Sequence, residues 1–272
     1  MIEWLDMFSS SEELNKTAII TGASNGIGFE FAKILAMNKY DLILVARNES
    51  KLDEIKNNFN QTYGVKVYVI ACDLCQVGAC ENFYEQVRRR NLDIDILINN
   101  AGIGDWGPFV DSNLEKQEQM LQLNVVALTK LTRLFLPGMV NRHHGRILNV
   151  ASTAAFQPGP LMSVYFATKA YVLSFSRAIA HELKDTNVSV TCLCPGPTAT
   201  NFQTTTFPQE IRLTHSQKLP TAKEIAEYGY KVMLRGQGIA VHGILNKLMA
   251  LNVRFIPQWI TLRFVSFMQQ AK

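Results

Sequence analysis

Short apolar runs alternate along this chain with longer segments whose apolar positions recur every three or four residues. Residues 16–21, 41–46, 66–72, 95–99, 146–151 and 188–194 read as strands. The run at 41–46, Asp-Leu-Ile-Leu-Val-Ala, is apolar after its first residue, as a parallel strand covered on both faces is. Between these runs, 28–38, 49–62, 76–91, 113–136 and 163–184 predict helices, with Phe31, Ile34 and Leu35 marking the buried side of the first. A helix over 221–235, a short edge strand at 239–242 and a helical stretch over 244–270, broken at Pro257, complete the order. Such alternation predicts an α/β protein: right-handed β-α-β units in a single doubly wound parallel sheet, with a C-terminal helical extension. No linker or internal repeat divides the chain. Residues 1–272 therefore read as one domain, with an N-terminal arm at 1–15, an irregular substrate loop at 195–220 and a helical tail at 244–272.

Composition changes little in that picture. Of 272 residues, 47% are apolar and 18% charged, as in a globular protein with a sizeable core. The N-terminus is acidic and lacks the basic start of a signal peptide. The charge-free stretch 147–168 contains Pro158, Gly159 and Pro160 and is not a membrane span. Cys72 and Cys194 fall in strand-like runs, so the five cysteines read as reduced thiols of a cytoplasmic protein. No His–Cys cluster accompanies them, and no metal is expected. The Arg88–Arg90 run suits a helix C-terminus, and no nucleic-acid partner is expected. Charge is uneven: from Tyr228 onward there are six Lys or Arg and no Asp or Glu, against 21 and 23 in the rest.

The first strand–helix junction carries candidate chemistry. Thr21-Gly22-Ala23-Ser24-Asn25-Gly26-Ile27-Gly28 is a turn whose glycines let backbone approach a phosphate, beside the free N–H groups of a helix start. At this place in a doubly wound sheet, which makes a Rossmann-type fold, the turn reads as a dinucleotide cradle. About 20 residues on, the second strand ends at Arg47. A guanidinium there suits the 2′-phosphate of NADP, where a carboxylate would suit the free hydroxyl of NAD. NADP is the expected cofactor. Asp73, followed by Leu74, is placed after the third strand to meet the adenine, or else to cap the helix over 76–91.

The second candidate lies between Ser152 and Lys169. Tyr165 and Lys169 stand four apart, on one helix face. An ammonium near a phenol lowers its pKa from the usual value of about 10. Ser152, at a strand end, is placed to donate to a substrate oxygen that Tyr165 protonates. Taken alone, this is also an ordinary helical pair.

Assembled in order, these motifs resemble the short-chain dehydrogenase/reductase family over about 17–200. The family's Thr-Gly-x-x-x-Gly-Ile-Gly matches Thr21–Gly28. Its Asn-Asn-Ala-Gly matches Asn99, Asn100, Ala101 and Gly102, which would steady the sheet and border the cofactor. Its catalytic Asn, Ser, Tyr and Lys match Asn124, Ser152, Tyr165 and Lys169. Its nicotinamide-contacting segment matches Pro195, Gly196, Pro197 and Thr198. The resemblance implies hydride transfer between NADP and a carbonyl or carbinol carbon. Tyr165 would be the acid–base, Lys169 would lower its pKa and hold the nicotinamide ribose, Ser152 would polarise the substrate oxygen, and Asn124 would support a relay water.

Around that centre, Trp106–Phe109, Phe156–Leu161 and the 199–220 loop with Phe202 and Phe207 are expected to form an apolar wall. The expected substrate is an apolar ketone or alcohol: a 3-oxoacyl thioester, a steroid-like ketone or a lipid-derived carbonyl. A non-catalytic dinucleotide-binding or redox-sensing module on the same fold is the alternative. The apolar tail needs a cover. A homo-oligomer interface is the first expectation, and a peripheral membrane contact helped by Trp259 and the basic bias is the second.

Overall fold

The computed structural model describes residues 16–206, 219–253 and 255–270. The expected arm at 1–15, residues 207–218 of the substrate loop with Phe207, Arg254, and residues 271–272 of the tail lie outside the described residues.

Seven parallel strands form one sheet: β1 (Thr17–Thr21), β2 (Asp41–Ala46), β3 (Val67–Ala71), β4 (Ile94–Asn99), β5 (Gly145–Val150), β6 (Val188–Cys194) and β7 (Ile239–Val241), in the order β3-β2-β1-β4-β5-β6-β7. Neighbouring residues of a strand face opposite sides. Ile20, Leu42 and Leu44 pack under α1 (Gly26–Met37) and α2 (Glu49–Tyr63) through Phe31, Leu35, Leu52 and Phe59. Ile19, Ile43 and Leu97 face the other way, onto Phe83 of α3 (Ala79–Arg88) and onto Leu131 and Phe135 of α5 (Leu128–Asn141). Strand order reverses between β2-β1 and β1-β4, and a crevice opens there beyond the carboxyl ends of the strands.

The helix before β5 is more complex than its period predicts. It begins as α4 (Leu114–Leu121), widens into a π-helical turn over Gln122–Ala127 and continues as α5. It also runs through Pro137 to Asn141, where the pattern predicts an end at 136. Met139 is the reason: it is fully buried, and a Cβ at Gly145 would stand 2.6 Å from its side chain. Burial of that side chain outweighs the backbone hydrogen bond that proline removes. Leu114–Asn141 is long and apolar enough to cross a membrane, yet Leu128, Leu131, Phe135 and Met139 are buried within the fold.

Two other expectations change, and a third holds, since the arginine run lies at the C-terminal end of α3. Asp73 does not cap α3: Gly78 stands at its N-cap, and the Asp73 carboxylate accepts from the Cys75 N–H at 3.1 Å within the preceding turn. The substrate loop is not wholly irregular, because Asn201–Thr206 form α7. The arginine run is partly engaged: Arg88 pairs with Glu85, and Arg90 donates to the Gln86 carbonyl and lies over the Tyr68 ring. The remaining helices are α6 (Ser163–Glu182), α8 (Ala222–Leu234, opened by a Thr221–Glu224 capping box), α9 (Ile244–Asn252) and α10 (Gln258–Gln269).

Candidate active site

The crevice is a cleft of about 1340 Å³. That exceeds what one small ligand needs and leaves room for a dinucleotide and a substrate together. Its floor at the β1–α1 junction is built by close approach. Gly22 has φ +68°, a conformation that side chains resist. A Cβ on Gly28 would stand 2.3 Å from the Gly22 carbonyl oxygen and 2.5 Å from Asn100 Nδ2. Gly28 thus lies behind the wall, while Gly22, Ser24, Asn25, Gly26 and Ile27 line it.

Thr21 ties that floor to β4, a role the sequence pattern does not reveal. Its hydroxyl accepts from the N–H groups of Asn100 and Ala101, each at 3.0 Å, and Asn100 Nδ2 donates to the Thr21 carbonyl at 2.9 Å. Asn99 turns inward, donating to Asn149 Oδ1 (2.9 Å) and Thr132 Oγ1 (3.1 Å), and Asn149 donates to Ser176 Oγ (2.9 Å). This buried chain locks β4, β5, α5 and α6 together.

The adenosine end is lined by Arg47, Asp73 and Leu74, with Lys51 nearby. Arg47 is exposed and has no ion-pair partner among the described residues. Cys72 and Cys75 stand in Cys-x-x-Cys spacing on either side of Asp73 and Leu74, both as free thiols. Burial and the Asp73 charge raise both, Cys75 to about 11, the reverse of an activated thiol.

Deeper in, Ser152, Tyr165 and Lys169 line one wall, and Asn100, Ala101, Gly102, Pro195, Gly196 and Thr198 border it. Lys169 is buried; its ammonium donates to the Val150 carbonyl at 2.9 Å and lies 5.7 Å from the Tyr165 ring centroid. Burial lowers its pKa to about 8. Burial raises Tyr165 to about 12, and hydrogen bonding with Ser152 opposes it. Burial, rather than a neighbouring charge, sets the direction of the Tyr165 shift. Desolvation of the phenolate dominates, and the ammonium is engaged by a backbone carbonyl.

Asn124 is not in the wall. It sits in the π turn, fully buried, accepting from the Ile103 N–H at 3.0 Å and donating to the Ile103 carbonyl at 2.9 Å and to Thr168 Oγ1 at 3.1 Å. A Cβ on Gly102 would meet Asn124 Oδ1 at 3.2 Å and Lys169 Nζ at 3.4 Å, so only a glycine's width separates the two. Helical π turns recur at functional sites because the extra residue re-aims a side chain.

The substrate wall differs from expectation. Trp106 packs behind Met162, Phe166 and Val265 and donates to the Gln269 carbonyl at 3.1 Å; Phe109 is exposed. Phe202 of α7 lines the cleft as expected, as does Gln157 of the 156–161 stretch, and the rest of the lining comes from Met162 and Phe166 and from Leu245, Met249, Phe264 and Met268 of the tail helices. Phe202 packs on Tyr165 with ring centroids 5.5 Å apart. A Cβ on Gly104 would stand 2.7 Å from Phe202.

A parallel sheet with a glycine-built floor at its switch point, opening onto a Ser–Tyr–Lys cluster whose lysine is buried, defines a dinucleotide-dependent oxidoreductase. A family model described as short chain dehydrogenase matches residues 16–211, and the chain belongs to that family. A very-long-chain 3-oxoacyl-CoA reductase of Anas platyrhynchos is 37% identical over 195 residues, 70% of this chain and 62% of its own length. The Rattus norvegicus enzyme of the same name is 30% identical over 259 residues, 91% of this chain and 77% of its own. Among solved structures, a short-chain dehydrogenase from Sphingobium yanoikuyae in complex with NADPH is 30% identical, with a TM-score of 0.79, covering 94% of this chain and 98% of that one. A bulky-bulky ketone specific alcohol dehydrogenase from Comamonas testosteroni is 27% identical, with a TM-score of 0.76, covering 95% and 97%. The chain is an NAD(P)-dependent oxidoreductase.

Proposed function

We propose that this enzyme uses NADPH to reduce the ketone of an apolar acyl substrate, with a 3-oxoacyl thioester as the best-fitting class. The observation that carries this reading is the juxtaposition of Ser152, Tyr165 and Lys169 with a wall made of Met162, Phe166, Phe202, Met249 and Phe264. An extended acyl chain suits such a wall, and the reductases named above act on that class. The glycine-built floor fits a pyrophosphate, and the exposed Arg47 fits a 2′-phosphate in a charge-assisted pair. A bound nicotinamide supplies the hydride.

The remaining work falls to the chain's own side chains. Ser152 donates to the substrate oxygen and fixes the carbonyl beside the phenol. Tyr165, held protonated across the physiological range, gives its proton to that oxygen as negative charge develops. The Lys169 ammonium stabilises the phenolate left behind. Asn124 grips the Ile103 backbone, and the missing side chain of Gly102 leaves room between Asn124 and the lysine end. Phe202 and the tail helices exclude water from the reacting oxygen.

Oxidation of NADPH, followed by absorbance, tests the reading against 3-oxoacyl-CoA substrates of increasing chain length. Turnover that rises with chain length supports it. Tight NADPH binding without turnover on any carbonyl would instead make the chain a nucleotide-binding module.

A further inference from the structure

The tail helices are built with two working faces. Inward, Val265 is buried against Ala154, Met162 and Phe166, and the Gln269 carbonyl is held by Trp106, so α10 is fixed to the body. Outward, the same helices leave Trp259 62% and Phe267 54% exposed, and the turn between them leaves Phe255 85% exposed. Leu245, Met249 and Phe264 belong to both faces: they line the cleft, yet are 74%, 48% and 56% exposed. Exposed apolar side chains are thus found both at the mouth of the cleft and on the outside of α9 and α10.

The charge on this face has one sign. Lys247 and Arg263 stand among these residues, and no Asp or Glu occurs from Tyr228 to the C-terminus, against six Lys or Arg. The Arg263 guanidinium lies 5.8 Å over the Trp259 ring, an aromatic–cation unit suited to the boundary between headgroups and acyl chains. A second copy of this chain is a poor cover. A two-fold contact through the patch would set cations against cations with no carboxylate of the tail to neutralise them.

We propose that α9 and α10 form a docking face for an anionic lipid bilayer, and that the cleft opens at that face. Apolar side chains enter the acyl boundary while Lys247 and Arg263 meet the headgroups. Docking needs no knowledge of the substrate. Only its corollary, that an acyl chain passes from the bilayer into the cleft, rests on the proposed function.

Co-sedimentation of the full chain with phosphatidylcholine vesicles, with and without phosphatidylserine, tests the proposal. The intact protein is expected to sediment with the phosphatidylserine vesicles and to be released by salt. Trp259→Ser/Phe267→Ser and, separately, Lys247→Glu/Arg263→Glu should each weaken partitioning by about tenfold or more. Neither pair lines the cleft, so turnover of a short soluble carbonyl should stay unchanged, which separates a failure of docking from a failure of the enzyme reading. Absence of binding to phosphatidylserine vesicles, or binding indifferent to both variants, would overturn the proposal. So would light scattering that shows a stable oligomer which Trp259→Ser/Phe267→Ser dissociates.

Discussion

The β1–α1 turn and the C-terminal helices bound the same cleft and are built on opposite terms. At the turn, backbone meets backbone so closely that no Cβ fits at Gly28, and Thr21, Asn100 and Ala101 are cross-bonded. At the tail, α9 has no buried residue, and α10 buries only Thr261, Val265 and Gln269. The contrast tracks what each region must recognise. A dinucleotide presents fixed phosphates and hydroxyls, which rigid donors read best. An apolar chain has no directional groups, and a soft wall of Leu, Met and Phe accepts it through area alone.

The contrast can be broken by substitution. Gly28→Ala should have the largest effect on stability, destabilising the protein by about 1–3 kcal/mol because the added methyl meets backbone that cannot yield. Phe267→Ser, on the outer tail, should change stability by less than about 0.5 kcal/mol. Thermal melting of both variants measures the difference, and equal melting temperatures would dissolve the distinction. Next in size is Arg47→Asp. It should lower the ratio of kcat/KM for NADPH over NADH by about tenfold or more, by removing a phosphate partner and adding repulsion. An unchanged ratio means that another group reads the ribose.

The smallest effect is on pH. Lys169, lowered to about 8, is ionised below that value and loses its proton above it. If its ammonium supports the phenolate, kcat/KM for ketone reduction should be flat below about pH 8 and fall above it. Stability should respond differently. Between pH 8 and the ordinary lysine value of 10.5 the unfolded chain holds more protons at this residue, so Lys169 makes stability rise with pH there. Tyr165 acts in the opposite sense, its contribution being lost as pH climbs from 10 through about 12. A pH–rate profile flat to pH 9.5 would remove Lys169 from the proton chemistry.

The same contrast governs what could be read in the sequence. All seven strands and the glycine turn were legible, because buried parallel strands are continuous apolar runs and a phosphate-binding turn requires glycines at fixed places. Every residue expected at the cofactor lines the cleft, save Gly28, which lies behind it. The π turn around Asn124 was not legible, since no residue type marks where a helix takes up one extra residue. The helix over Asn201–Thr206 was hidden by a Thr-rich sequence without apolar spacing, and with it the placement of Phe202 on Tyr165. Phe109 was assigned to the wall and is instead exposed, because an aromatic residue in a loop carries no signal of direction. The tail's apolar excess was plain, but only the structure shows that Leu245, Met249 and Phe264 reach the cleft.

The division between a rigid chemical end and a soft substrate end is tested most directly by kcat/KM for NADPH-driven reduction of a short and a long 3-oxoacyl-CoA. Three proteins are compared: the parent chain, Tyr165→Phe, and Met249→Ser/Phe264→Ser. Tyr165→Phe should fall by about a thousandfold on both substrates, the loss of a general acid. The tail variant should lose about tenfold or more on the long substrate and keep its rate on the short one. Equal losses of the tail variant on both substrates, or substantial turnover by Tyr165→Phe, would contradict the account.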